Sequence, residues 1–405
     1  MSQWTPVARS ADVTTRPLAV ELDGLPFVLV RFADGGPVRA FADRCPHRLV
    51  PLSAATPTGG TLRCAYHGWE FGPDGRCVAI PSAPGQAVPP RADLPPGPAV
   101  QERDGRVWLD RATPAPGDPP ELCTNEDSAL RRAWHPVGLV AELPFTAELL
   151  GEAWSVDEDL HVEPAPHAVT TRWGLVWLAP QEPLTELFDD PDREDRQFAG
   201  AWLPPARTSV AAAVVADNFL DVAHFPFVHA GTFGAGEERA VPEYTVQGDP
   251  DGCRSVQEQW FDNPEDPGVL DGVRPVRQRR RATYVYRAPF QLMLRLEELD
   301  AGAVKTILFF AQPESLTRTR IYTKMLLWGI GGAERPGPDV VARECAFEEA
   351  VLAEDLALQS TMTLTGLPLR MRDELHVRAD RLGVALRREL VRFRERAANP
   401  GGAGE

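Results

Sequence analysis

The sequence predicts two differently built halves, an all-β N-terminal module and an α+β half around an antiparallel sheet. Residues 1–110 break into short β-rich segments punctuated by turn residues, the pattern of a small β module. An acidic, proline-rich stretch over residues 112–122 then interrupts all periodicity. Beyond about residue 201, apolar helical periodicity alternates with strand-like runs. A chain of 405 residues exceeds what one hydrophobic core usually supports, so more than one domain is expected.

Taken in order, the first module spans residues 1–111, with strands near 18–22, 27–32 and 105–109. Residues 112–130 read as a linker, and a second polar break falls near 188–196. The α+β half covers residues 200–396, with helices near 211–224, 340–361 and 377–396. Its strands are expected near 283–296, 304–312 and 318–328, and residues 397–405 form a disordered tail.

Between the halves, short strings recur. Trp4-Thr5-Pro6-Val7-Ala8 returns as Trp134-His135-Pro136-Val137-Gly138, and Gly105-Arg106-Val107-Trp108-Leu109 as Gly174-Leu175-Val176-Trp177-Leu178. Either residues 131–185 are a truncated, cluster-less duplicate of the first module, or Trp/Pro/Val strings recur by chance in a biased composition.

A formal net charge of −16 argues against nucleic acid as a partner, because phosphate binding needs a basic surface. Six cysteines are too sparse for a disulfide framework, so closely spaced Cys and His are better read as metal ligands. No window resembles a membrane span, and the opening MSQWTPVARS lacks the charged and apolar regions of a signal peptide. A cytoplasmic location is therefore expected.

Two constellations carry chemistry. The first is Cys45-Pro46-His47 followed by Cys64-Ala65-Tyr66-His67, a C-x-H-x16-C-x2-H pattern. Two thiolates suit one iron and two imidazoles the other, which is the ligand division of a Rieske [2Fe–2S] centre. Structural zinc also accepts Cys₂His₂, but zinc fingers place C-x-x-C before a His pair, whereas each pair here mixes the two.

The second constellation is Asp217-Asn218-Phe219-Leu220-Asp221-Val222-Ala223-His224, continued to His229. His224 and His229 fit two positions of a 2-His-1-carboxylate facial triad, which holds Fe(II) and leaves positions open for O₂ and substrate. Imidazoles five residues apart do not stack on an ideal helix, so a bend near Pro226 is expected.

CPHRLVPLS and CAYHGWEFGPDGRCVAIPS resemble the two cluster loops of the aromatic-ring-hydroxylating, or Rieske non-haem iron, oxygenases, and N-x-x-D-x-x-H-x4-H matches their iron-binding segment. The resemblance implies an N-terminal Rieske domain and a helix-grip (START-like) catalytic domain. It implies cluster ligation by Cys45, His47, Cys64 and His67, and Fe(II) ligation by His224, His229 and a carboxylate on a C-terminal helix. By the same resemblance, that carboxylate is Asp355 in the run Glu354-Asp355-Leu356-Ala357-Leu358-Gln359. Glu354 points about 100° round the helix and is expected to be solvated, with Glu348 and Glu349 as weaker competitors.

By the same resemblance Asp221 bridges His224 to His67 of a neighbouring subunit, and Asn218 sits beside the iron. A ligating imidazole usually donates its other N–H to a carboxylate, which is the physical case for Asp221. The loops lack the extra cysteines of respiratory Rieske proteins, so a potential near the low end, roughly −150 mV, is expected.

The function so implied is the oxygenase component of a multicomponent system. A ferredoxin and/or an NAD(P)H-dependent reductase supplies electrons, since no G-x-G-x-x-G fingerprint is present. O₂ is activated to hydroxylate, demethylate or cyclise a small organic substrate. The implied assembly is a homotrimer or a multiple of it, because cluster and iron are expected to lie too far apart within one chain. An electron carrier without oxygenase chemistry, or a ligand-binding protein without iron, are the alternatives. Arg295, Tyr284 and Tyr286 are candidates to face a pocket, although alternation predicts that half of a strand's side chains point elsewhere.

Overall fold

The computed structural model describes residues 3–111, 120–189, 192, 198–234, 238–264 and 266–399. Most of the expected linker and of the tail, and part of the break near 188–196, lie outside the described residues.

The first module is built of three small antiparallel sheets. One joins Trp4–Arg9, Arg106–Asp110 and Val100–Arg103, and the second Leu18–Leu22, Leu25–Arg31 and Val38–Ala42. The third joins Thr56–Thr58, Thr61–Arg63, Glu70–Phe71 and Cys77–Ala79. Val28, Leu52, Leu62, Trp69 and Phe71 form its core. The loop entering Leu52 carries Cys45 and His47, and the turn between Thr61–Arg63 and Glu70–Phe71 carries Cys64 and His67.

Residues 135–179 repeat the first two of these sheets. His135–Leu139, Leu175–Ala179 and Ala168–Arg172 pair in the order of the first sheet, and Phe145–Leu149, Glu152–Val156 and Val162–Glu163 in the order of the second. The correspondence reaches the irregularities. Pro6 faces Trp108 and the register then slips before Ala8; Pro136 faces Trp177 and slips before Gly138. Asp23-Gly24 and Leu150-Gly151 turn the matching hairpins with positive φ at both residues. The Ser10 N–H donates to Gly105 O at 2.9 Å, and the Val140 N–H to Gly174 O at 2.9 Å. No counterpart of the third, Cys/His-bearing sheet exists among the described residues of this stretch.

The C-terminal half is one antiparallel sheet. It runs Ala199–Trp202, Arg318–Trp328, Ala303–Ser315, Gln291–Glu298, Arg277–Arg287, Gly252–Asp262 and Val246–Asp249, with Ala206–Thr208 also paired to Arg318–Trp328. The single strand expected over 283–296 is two, turned at residues 288–290. Trp173 and Trp177 of the repeated module pack on Phe310 and Tyr322, covering one face of this sheet.

The other face carries helices α1 (Ala212–Leu220) and α5 (Arg381–Ala398), while α2 (Phe225–Val228), α3 (Pro267–Leu270) and α4 (Pro338–Gln359) flank the cavity between sheet and helices. Leu220 and Ala216 of α1 and Leu382, Leu386 and Phe393 of α5 share one core. The helix expected over 211–224 stops at Leu220, where Asp221 turns extended (φ −82°, ψ 128°). The bend therefore precedes Pro226. That proline instead sits in the first turn of α2, where its missing N–H has no helical partner to lose.

The two halves meet within one chain, which corrects the expectation that cluster module and iron segment lie apart. Leu358 of α4 is buried in the core of the first module, with Val228, Met362, Leu375 and Val377 packed against it. The Leu375 N–H donates to Pro46 O at 2.8 Å. Gly68, at φ +66°, lies so close to the Phe227 ring that an added Cβ would fall 2.1 Å from it.

Candidate metal centres

Each Cys/His loop closes by backbone hydrogen bonds that aim its side chains inward: Leu49 N–H to Cys45 O at 2.9 Å, and Gly68 N–H to Cys64 O at 3.1 Å. Cys45, His47, Cys64 and His67 are all buried. The Cys45 thiol hydrogen-bonds Cys64 and lowers the Cys64 pKa to about 7, while burial pushes Cys45 well up. The His47 and His67 rings meet at 4.3 Å, and Trp69 stacks on His47 at 4.6 Å. The outer nitrogens of both rings are engaged: Asp380 accepts from His47 Nε2 at 3.0 Å, and Asp221 from His67 Nε2 at 2.8 Å. His47 Nδ1 has no partner although wholly buried. A pair of adjoining buried thiols and an orphaned buried imidazole nitrogen on the same loops are what a bound cluster would satisfy.

The second centre is assembled by the shortness of α2. His224 and His229 cap a helix of four residues, and their Nε2 atoms converge to 3.0 Å. Asp355 Oδ1 stands 3.5 Å from each. These three ligand atoms lie within 4.8 Å of one another, the only such group of His, Cys, Asp or Glu among the described residues. The alternatives Glu348 and Glu349 belong to no such group. Burial raises the Asp355 carboxyl and the two imidazoles oppose it.

Asn218 Nδ2 donates to Asp355 Oδ1 at 3.1 Å and to the Tyr66 hydroxyl at 3.2 Å, and its Oδ1 accepts from Gln359 Nε2 at 3.0 Å. It thus links α1, α4 and the cluster loop. Glu354 is half-buried and engaged rather than left to solvent. It accepts from His229 Nδ1 at 3.0 Å and from the Thr232 hydroxyl at 2.8 Å, because its longer side chain reaches round the helix.

Asp221 lies between the centres. Its Oδ2 accepts from His67, its Oδ1 accepts from the Ala223 N–H at 2.7 Å, and His224 Nδ1 is 3.6 Å away. Burial pushes this carboxyl up, but His67, His224 and the hydrogen bonds outweigh it and hold it well below the usual range. The expectation of a neighbouring subunit's His67 is corrected: the first module docks beside α2 in its own chain, so the bridge is internal. Asp380 plays a matching part toward His47 that no short motif announced. It belongs to a buried ionic group in which Arg48 lies 3.2 Å from Asp380 and 3.4 Å from Asp217, and Arg387 holds Asp217 at 2.6 Å and Glu374 at 2.7 Å.

A cavity of about 590 Å3 opens on His224, His229 and Asp355 and runs between α4 and the sheet. Tyr284 lines it. Tyr286 is buried in the core, and Arg295 pairs with Asp192 at 2.7 Å away from the cavity.

Two family models match the two halves. Residues 3–90 match the Rieske [2Fe-2S] domain, and residues 208–396 the vanillate O-demethylase oxygenase C-terminal domain. The chain belongs to the Rieske non-haem iron oxygenases. The cofactors of such an oxygenase are a Rieske [2Fe–2S] cluster and a mononuclear iron, and the donor sets above fit both.

Among curated relatives, this Rieske oxygenase is 23% identical to methylxanthine N1-demethylase of Pseudomonas putida over 97% of this chain and 88% of the relative. It is 37% identical to the oxygenase component of dicamba O-demethylase of Stenotrophomonas maltophilia over 32% and 38%. Protein TIC 55 of Arabidopsis thaliana is 34% identical over 49% and 36%, so the match spans about a third of that relative's length. No helix among the described residues is long and apolar enough to cross a membrane.

Proposed function

We propose that this chain is the oxygenase component of a multicomponent system, oxidising a small organic substrate with O₂ and electrons delivered by a ferredoxin and/or an NAD(P)H-dependent reductase. The carrying observation is the Asp221 bridge, which joins one imidazole of the Cys₂His₂ set to one of the 2-His-1-carboxylate set inside a single chain.

The bound cluster would supply single electrons and the bound Fe(II) an O₂-activating centre with open positions. The chain's residues do the rest. Cys45, His47, Cys64 and His67 hold the one, and His224, His229 and Asp355 the other. Asp221 stays ionised and fixes the tautomer of His67, with the proton on Nε2. Glu354 does the same for His229, with the proton on Nδ1. Asn218 orients Asp355 while leaving one face toward the cavity. Phe219, Phe225, Phe233, Leu294 and Ile307 keep water from that face and suit an apolar substrate body.

The finer reading is removal of a methyl group. One oxygen atom enters a C–H bond of an O- or N-methyl substituent, the other leaves as water with two electrons and two protons, and the hydroxymethyl product releases formaldehyde. The vanillate O-demethylase-type domain and the demethylases among the relatives support it. The test is reconstitution with a reductase and ferredoxin over a panel of methoxy- and N-methyl-arenes under ¹⁸O₂. Formaldehyde carrying ¹⁸O, trapped before it exchanges, is expected. Label inserted into a ring instead would refute demethylation, and electron consumption with no labelled product from the panel would count against the oxygenase reading.

A further inference from the structure

The cavity-facing stripe of α4 is acidic in an uneven way. Glu344, Glu348, Val351 and Asp355 follow one another at spacings of four, three and four, the interval that keeps side chains on one helix face. Asp355 faces the two imidazoles. Glu344 is neutralised by Lys305 at 2.5 Å. Glu348 lines the cavity and makes no hydrogen bond or ion pair with any described residue.

The cations around the cavity are already engaged. Arg274 is held by Asp266 at 2.6 Å, Arg277 by Glu238 at 2.7 Å, and Arg280 and Arg343 also have partners. Glu298 is occupied as well, accepting from Asn263 at 2.9 Å. Of the acids lining the cavity, Glu348 and the exposed Asp262 are thus the two without a hydrogen bond or ion pair to any described residue; Glu348 shares α4 with Asp355, and Lys305, whose charge acts on Glu348, is already held by Glu344. A carboxylate half-withdrawn from water without a partner is costly, and a cationic ligand group is what relieves it. Burial raises the Glu348 pKa, Lys305 opposes it, and the like charges of Asp355 and Glu344 add to the rise.

We infer that Glu348 is the specificity-determining residue of the cavity, and that the substrate carries a protonated amine which it binds. This rests on the oxygenase reading above and names the substrate class of that site. Seven residues separate Glu348 from Asp355, about 10 Å along the helix at about 1.5 Å per residue. The amine nitrogen therefore lies at the far end of the substrate from the carbon presented to His224, His229 and Asp355. A methylated arene with a short aminoalkyl arm has that length.

The experiment uses iron-loaded, anaerobic protein, so that nothing turns over, with iron content measured on the same sample. Three probes of matched shape are titrated by calorimetry at pH 7: 4-methoxyphenethylamine, 2-(4-methoxyphenyl)ethanol and 3-(4-methoxyphenyl)propanoate. The amine should bind at least about tenfold more tightly than the alcohol, the scale of one desolvated charge pair, and the acid most weakly. Glu348→Gln should abolish the preference. Glu349→Gln removes the same charge from the exposed side of the helix and should leave it intact. With iron present, equal binding of amine and alcohol, a preference for the acid, or an amine preference that survives Glu348→Gln would each overturn this inference alone. A protein that takes up no mononuclear iron would overturn the oxygenase reading and this inference with it.

Discussion

Replacing Asp221 with asparagine changes one atom and leaves no good arrangement. In the native protein one carboxylate oxygen accepts from His67 at 2.8 Å and the other from the Ala223 N–H at 2.7 Å. Both partners are buried donors, and an amide has only one acceptor oxygen. If the oxygen keeps Ala223, the amide nitrogen faces the His67 N–H; if it turns to His67, it faces Ala223. Either way a charge-assisted hydrogen bond, worth about 1.5–3 kcal/mol, is lost and a buried donor is orphaned. A total near 3 kcal/mol corresponds to about a hundredfold loss in the population holding His67 and His224 in register. The metal ligands are untouched, so iron content should match the parent. The assay is stopped-flow reoxidation of anaerobically reduced protein mixed with O₂ and substrate, followed by visible absorbance. A rate about a hundredfold lower is expected, and a variant within threefold of the parent would refute the bridging role of Asp221.

Asp355→Ala should lose the mononuclear iron and keep the cluster spectrum, whereas Glu354→Ala, which removes only the acceptor for His229 Nδ1, should weaken iron binding about 10–100-fold as judged by chelator competition. His135 donates Nε2 to Leu130 O at 2.7 Å, and burial lowers its pKa from 6.5 to about 4. The unfolded chain therefore takes up a proton first, and stability should fall as pH drops from 6.5 toward 4, by about 3 kcal/mol from this group, with no contribution above 6.5. Denaturation midpoints against pH should flatten over that window in His135→Gln. Finally, a Cys64→Ser chain mixed with an Asp355→Ala chain should stay as inactive as either alone, because cluster ligands and iron ligands of one pathway sit in one chain; restored turnover would show transfer between chains.

What could be read from the sequence was whatever lies within a short span. C-x-H-x16-C-x2-H and D-x-x-H-x4-H are local strings; the first brings the His47 and His67 rings to 4.3 Å, and the second brings His224 and His229 together beside Asp355. The repeated Trp/Pro/Val strings were legible but ambiguous. Two shared register slips and two shared turns favour a second, cluster-less copy of the first module, and we propose that reading. Contacts spanning hundreds of residues were not legible. Asp380 meets His47 across 333 positions, and nothing in its neighbourhood marks it. Glu354 was misplaced because a rule about helix faces ignores side-chain reach. Asp221 meets His67 within the chain across 154 positions, and a sequence motif does not tell which copy of His67 it meets.

The central claim is that one chain holds a His-ligated [2Fe–2S] cluster beside a mononuclear iron. Metal and sulfide analysis of anaerobically purified protein, with EPR of its dithionite-reduced form, tests it most directly. About three iron and about two acid-labile sulfides per chain are expected, with the low average g value of a Rieske centre. About one zinc per chain with no sulfide would contradict it, and two iron per chain with an intact cluster and an iron-free His224, His229 and Asp355 site would leave an electron carrier in place of an oxygenase.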